Sequence, residues 1–232
     1  MLLFINEIYL SLNFIIKHLI MKKIILLLFV GVLATVSANA QAEIGIKGGV
    51  NFPSIMGDNI NGIRYRTAFN IGLVAEIETS PSTSVQPEIM YSGQGFHYNG
   101  GTFIGPDGLI TLAEDNYKFD YLNIPLVFKY YFSEGASFEV GPQVGFLLSA
   151  KTDDGSEKGF VNLKDNLTTA SFDFIVGFGY KFDNGFNLNA RYIGGLTNVW
   201  KGYVKNPPPG YWYYDYGKRN SVFQLTLGYY FN

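Results

Sequence analysis

The 232-residue sequence predicts an all-β fold, an eight-stranded antiparallel transmembrane β-barrel behind an N-terminal signal peptide helix. Three observations predict it. Aromatic residues reach 17% and glycine 27 residues, while charged residues are only 16%, well under the quarter expected of soluble domains. Runs of residues alternating between large apolar and small or polar side chains recur down the chain. The connections between those runs are alternately short and long, as in barrels with tight turns at one end and loops at the other.

The front end carries the export signal. From Met21 the chain reads a positive pair, Lys22-Lys23, then an apolar stretch over Ile24–Val36, then Ala38-Asn39-Ala40, the A-x-A pattern of a cleavage site. Residues 21–40 are therefore expected to be removed, with Gln41 the new N-terminus, and residues 1–20 read as an upstream extension of the initiator Met21. An uncleaved helical anchor is the rival reading, since the early apolar stretch is long enough to span. Residues 41–232 form the predicted barrel domain. Without residues 1–40, which hold three lysines and one glutamate, 14 basic residues face 18 acidic ones. This is no footprint for nucleic acid. The absence of cysteine excludes disulfides, a lipoprotein anchor and thiolate metal sites.

Eight runs follow in order: Glu43–Asn51, Thr67–Glu78, Ser84–Phe96, Tyr117–Phe132, Ser137–Ala150, Thr169–Phe182, Phe186–Leu196 and Ser221–Phe231. Most approach or exceed the nine to eleven residues that a tilted spanning strand needs. In the sixth, Phe172, Phe174, Val176, Phe178, Tyr180 and Phe182 share one side against Asp173, Ile175, Gly177, Gly179 and Lys181. In the eighth, Phe223, Leu225, Leu227, Tyr229 and Phe231 oppose Gln224, Thr226, Gly228 and Tyr230. Side chains alternate across a strand, so each run has an apolar face and a small or polar one. Tyr91, Tyr130, Tyr180, Tyr192 and Tyr229 lie near the ends of the apolar faces, where interfacial girdles belong. The apolar faces are thus expected to meet lipid, and the glycine-rich faces to line a narrow lumen.

Short connections fall at Thr79–Thr83, Ser133–Ala136 and Asp183–Gly185, and long ones at Phe52–Arg66, His97–Asn116, Lys151–Thr168 and Thr197–Asn220. An outer-membrane barrel with this pattern and an even strand count has both termini on the periplasmic side. Pro87, Pro125 and Pro142 fall inside strands, where each removes a ladder donor, so bulges are expected there.

The same alternation turns Lys47, Lys129, Lys181 and Arg191 inward, together with Glu76, Glu88, Glu139 and Asp173. A lumen of eight strands is just wide enough for side chains to fill. Buried charges need partners, and the balanced signs predict an internal salt-bridge network. A selective channel would instead show one dominant sign.

Several stretches carry a family resemblance: Gly45-Ile46-Lys47-Gly48-Gly49-Val50-Asn51-Phe52, Gln86-Pro87-Glu88-Ile89-Met90-Tyr91-Ser92, and Asp120-Tyr121-Leu122-Asn123-Ile124-Pro125-Leu126. Gly141-Pro142-Gln143, Gly195-Leu196-Thr197-Asn198 and Gly228-Tyr229-Tyr230-Phe231 follow in order. The chain resembles the PorT-like outer-membrane β-barrel family of Bacteroidetes. The resemblance implies an outer-membrane location and a small barrel, and it makes the strand prolines a family habit. The founding PorT protein is linked to type IX secretion and gliding, in a family of mixed function.

Chemistry is sparse. His97, the one histidine after residue 40, is followed by Tyr98-Asn99 and not by the His-x-Ser of lipid A deacylases. Asp153-Asp154-Gly155-Ser156-Glu157 lacks the spacing of an EF-hand and reads as a solvated turn. No catalytic, cofactor or metal site is expected. The segment most suited to a partner is Pro207–Tyr216, a stiff proline run followed by Tyr211, Trp212, Tyr213, Tyr214 and Tyr216; the same aromatics would also suit the membrane interface. The leading reading is a non-enzymatic structural or interaction module that meets outer-membrane lipid and, as an accessory of protein secretion, secretion-machinery or surface proteins. A narrow porin-like pore for small solutes and a barrel enzyme acting on lipid A or peptide are the alternatives.

Overall fold

The computed structural model describes residues 42–57, 62–105, 108–112, 114–153, 161–201 and 217–231. The signal segment and Tyr211–Tyr216 lie outside the described residues. Eight long strands form the wall: β1 (Ala42–Met56), β3 (Ala68–Ser80), β4 (Thr83–Tyr98), β7 (Asp115–Tyr131), β8 (Ala136–Asp153), β10 (Ala170–Lys181), β11 (Phe186–Asn198) and β12 (Arg219–Phe231). Each pairs with the next along the chain, and β12 pairs back onto β1 from Ile44↔Phe231 to Met56↔Arg219. The sheet is therefore closed, with no edge among these strands, which is what lets a sheet cross lipid with its backbone satisfied.

Shorter elements sit in the long connections: β2 (Ile63–Arg64), which pairs with β4, and β9 (Val161–Asn162), which pairs with β8. A separate hairpin joins β5 (Gly101–Gly105) to β6 (Gly108–Leu112), and a single 3₁₀ turn spans Lys164–Asn166. These extend regions that sequence patterning treats as loops. At the other end the turns are tight: β3 and β4 are separated by Pro81-Ser82, and Gly185 between β10 and β11 takes φ +85°, a conformation glycine adopts without strain.

Burial follows the alternation with the apolar side outward. Phe69, Ile71, Leu73, Phe172, Phe174, Phe178, Phe223, Leu225 and Leu227 are exposed on the outer wall, while their alternate neighbours Asn70, Asp173, Gln224 and Thr226 are buried inside. Grease outside and polarity inside is the arrangement a barrel takes in lipid.

The strand prolines do not make bulges. Pro87 stays in register opposite Leu126, and Pro142 opposite Phe174. The ladders instead skip two rungs and resume unshifted: between Val74↔Glu88 and Ile77↔Val85 beside Pro87, between Pro87↔Leu126 and Met90↔Asn123 beside Pro125, and between Pro125↔Gln143 and Phe128↔Val140 beside Pro142. Losing a donor deletes a rung, whereas a bulge needs an inserted residue. Such an insertion occurs elsewhere in this wall, where Asp120↔Ser149 gives way to Tyr121↔Leu147 and leaves Leu148 unpaired.

Candidate functional site

The lumen is the part of the molecule with unusual chemistry, and it is layered. Its centre holds six charged residues, Lys47 on β1, Glu76 on β3, Glu88 on β4, Lys129 on β7, Glu139 on β8 and Arg191 on β11, each no more than 3% exposed. Arg191 is the hub. Its terminal nitrogens donate to both oxygens of Glu88 at 3.0 and 2.8 Å, and its Nε donates to Glu139 Oε2 at 2.6 Å. The planar guanidinium suits this task because it presents a fixed fork to a carboxylate. Lys47 donates to Glu88 Oε1 at 3.0 Å, and Lys129 to Glu76 Oε2 at 2.9 Å, with Glu139 a further 4.0 Å contact.

Neutral groups complete the shell. Lys129 also donates to Gln86 Oε1 at 3.2 Å, and the Tyr230 hydroxyl reaches the same oxygen at 2.7 Å. Asn189 donates to Glu139 Oε1 at 2.7 Å, and Ser84 and Tyr131 donate to Glu76. Three positive and three negative groups leave no net charge, and each is hydrogen-bonded, the condition under which buried ions are tolerated. Glycine supplies the room. A Cβ at Gly179 would stand 2.5 Å from Glu139 Oε1, and one at Gly177 would stand 2.8 Å from Arg191 Cγ.

The remaining two predicted lumen charges behave differently. Lys181 ends β10 at the tight-turn mouth, too far along to join the centre; it pairs with Glu43 and lies 5.2 Å from the centre of the Tyr230 ring. Asp173 is buried but meets no cation; Gln143 and Ser171 donate to it instead, at 2.9 and 3.1 Å. The reason is positional: its rung partners are Gln143 on β8 and Gly195 on β11, while Arg191 lies further along β11, opposite Gly177, and is taken by Glu88 and Glu139.

Beyond the charged centre, toward the long connections, Asn51 donates to Ser92 Oγ and to Gly93 O at 2.9 Å and accepts from Asn70 and Gln224 at 2.7 and 3.0 Å. Val127, Ile175, Ile193 and Val222 form a small apolar cluster in the same lumen. The loop end is filled by a larger one, built on Ile55, Phe96, Tyr98, Tyr117, Phe119, Tyr121 and Leu147. Phe96 stacks on Tyr117 with centroids 4.4 Å apart, and Trp200 packs edge-on against Tyr117 and Phe119 at 6.4 Å. Sequence reasoning missed this cluster because it assigned large aromatics to lipid. The signal was present: Tyr117, Phe119 and Tyr121 share parity with Asn123 and Lys129, an inward row. His97 pairs across the ladder with Arg64 of β2, on the opposite face from Phe96 and Tyr98. No cluster of three or more His, Asp or Glu side chains is set to hold a metal among the described residues.

Solved structures with a similar course include Ail, the attachment invasion locus protein of Yersinia pestis, at 15% identity and TM-score 0.46, covering 82% of this chain and 99% of that one. Neisserial surface protein A gives 10% identity and TM-score 0.49 over 82% and 99%, and OprG from Pseudomonas aeruginosa gives 13% and 0.39 over 84% and 98%. No curated protein sequence matches significantly. The family model for the outer membrane protein beta-barrel domain matches residues 37–201. That match spans most of the chain, the closed wall with its apolar exterior is a β-barrel as the description says, and the chain belongs to the outer membrane protein beta-barrel domain family.

Proposed function

We propose that this outer-membrane barrel is a sealed, non-enzymatic anchor that works through its long connections and not through its lumen. One observation carries the reading: Arg191 on β11 bridges Glu88 on β4 and Glu139 on β8 across the centre, with all three side chains at most 1% exposed. A lumen crossed by paired side chains and filled by aromatics at one end supports a rigid scaffold over a conduit. On this reading residues 1–40 are removed on export, both termini are periplasmic, and the long connections face outward. Tyr211, Trp212, Tyr213, Tyr214 and Tyr216 form the partner-binding segment. The resemblance to PorT-like barrels supports secretion-machinery or surface proteins as the partners.

The test is electrical and biochemical. Purified barrel in planar bilayers should give no stable open-pore current, and sustained conductance would overturn the sealed lumen. Co-purification from intact outer membranes under mild detergent should recover a partner that is lost when Trp212 and Tyr213 are replaced by serine.

A further inference from the structure

Asp173 stands apart from the central network. The residue is 4% exposed, and no Lys, Arg or His pairs with it among the described residues. Its Oδ2 accepts two hydrogen bonds, from Gln143 at 2.9 Å and Ser171 at 3.1 Å, while Oδ1 has no donor. A buried carboxylate oxygen without a donor carries a desolvation penalty that nothing in the wall offsets.

The neighbours make the matter sharper, because they are acceptors too. Ser171 lies opposite Gly145 on β8, and Gly145 lies opposite Asn123 on β7. A Cβ on Gly145 would stand 2.5 Å from Ser171 Oγ and 2.7 Å from Asn123 Oδ1, so both oxygens close in on the bare face of this glycine. Asn123 is 1% exposed and its Oδ1 has no donor. On the other flank Asp173 lies opposite Gly195, which packs against the Asn220 backbone; the Asn220 side chain, 5% exposed, has another unpartnered Oδ1. One carboxylate oxygen and two amide oxygens, all buried, are thus left without donors on these inward rows.

We propose that this group of oxygens binds one small monovalent cation of sodium's size, held by Asp173 Oδ1, Asn123 Oδ1 and Ser171 Oγ. Carboxylate, carbonyl and hydroxyl oxygens are hard donors, which suit hard cations and not zinc or copper. The charge count selects valence. The central network is already balanced three against three, so Asp173 adds a single negative charge, which a monovalent ion neutralises. A divalent ion would leave a positive charge buried, with its own desolvation penalty.

The experiment follows thermal unfolding of the purified full-length barrel in micelles, with sodium chloride replaced stepwise by choline chloride at constant ionic strength. An ion that binds only the folded state leaves Tm unchanged well below its Kd and raises it linearly with the logarithm of concentration above it, and a rise of about 2–4 °C is expected. Asp173→Asn should abolish the dependence and be more stable than wild type in choline, because the new amide can donate to Asn123 Oδ1. Gly145→Ala, whose methyl would push Ser171 Oγ and Asn123 Oδ1 out of place, should also abolish it, whereas Asp183→Asn in the distant turn should retain it. A flat sodium response in the wild type, as a protonated Asp173 would give, overturns the proposal. So does a sodium response retained by Asp173→Asn, or stabilisation by calcium chloride with none by sodium.

Discussion

Replacing Arg191 with methionine removes the guanidinium while keeping an unbranched side chain of similar reach. Glu88 would keep Lys47 at 3.0 Å, but Glu139 would lose its 2.6 Å partner and retain only the Asn189 amide and Lys129 at 4.0 Å. The centre would go from neutral to one uncompensated negative charge, in groups that are at most 3% exposed. Removing one partner of a buried pair typically costs about 3–5 kcal/mol, because the stranded charge keeps its desolvation penalty. Equilibrium urea unfolding in micelles, followed by tryptophan fluorescence, measures the loss. The double variant Arg191→Met/Glu139→Gln restores balance with Lys47 and Lys129 against Glu76 and Glu88, so it should recover about 1–3 kcal/mol of that loss. A single-variant loss under about 1 kcal/mol, or a double variant no more stable than the single, would refute the view that these charges matter through mutual neutralisation.

Other outcomes follow from the same structure. Phe174→Arg and Leu225→Arg, on the lipid-facing wall, should each cost about 2–4 kcal/mol near the midplane, while Asn162→Arg in β9 should cost little; equal effects on heat-modifiable gel migration would contradict the face assignment. Phe119→Ala, at a position with 0% exposure in the loop-end cluster, should destabilise by about 3–5 kcal/mol, read by the same urea titration. Edman sequencing of outer-membrane material should begin at Gln41, and residues 1–20 still attached would contradict cleavage after Ala40.

The wall was legible because its signal is local. In β10 and β12 nearly every outward residue is large and apolar and most inward ones are small or polar, so the period of two fixes the faces without knowledge of the fold. Which charges face inward was readable on the same ground. Which charge meets which was not, since Arg191 and Glu88 are separated by 103 residues and meet across a lumen that exists only in three dimensions. Asp173 shows the limit most clearly: its inward direction is local, but its lack of a cation depends on what β8 and β11 carry beside it. The prolines were misread because loss of a donor and insertion of a residue both interrupt a ladder, and only the register distinguishes them. The β5–β6 hairpin carried a readable cue, Pro106-Asp107 between two short runs that include Phe103, Ile104, Leu109 and Ile110, hidden by treating the segment as one loop.

The way Arg191 spans the lumen also bears on how the barrel is made. Its partners arrive early, Glu88 from β4 and Glu139 from β8, while Arg191 itself comes from β11, and β1 has its second neighbour only when β12 is in place. An intermediate holding the first five wall strands would carry Lys47 and Lys129 against Glu76, Glu88 and Glu139, an excess negative charge facing an unsealed interior. Such a species is poorly suited to the hydrocarbon layer, where an uncompensated charge is expensive. The charge balance of the lumen is therefore a property of the complete ring, and a partial ring placed in hydrocarbon carries the cost of the unpaired charge.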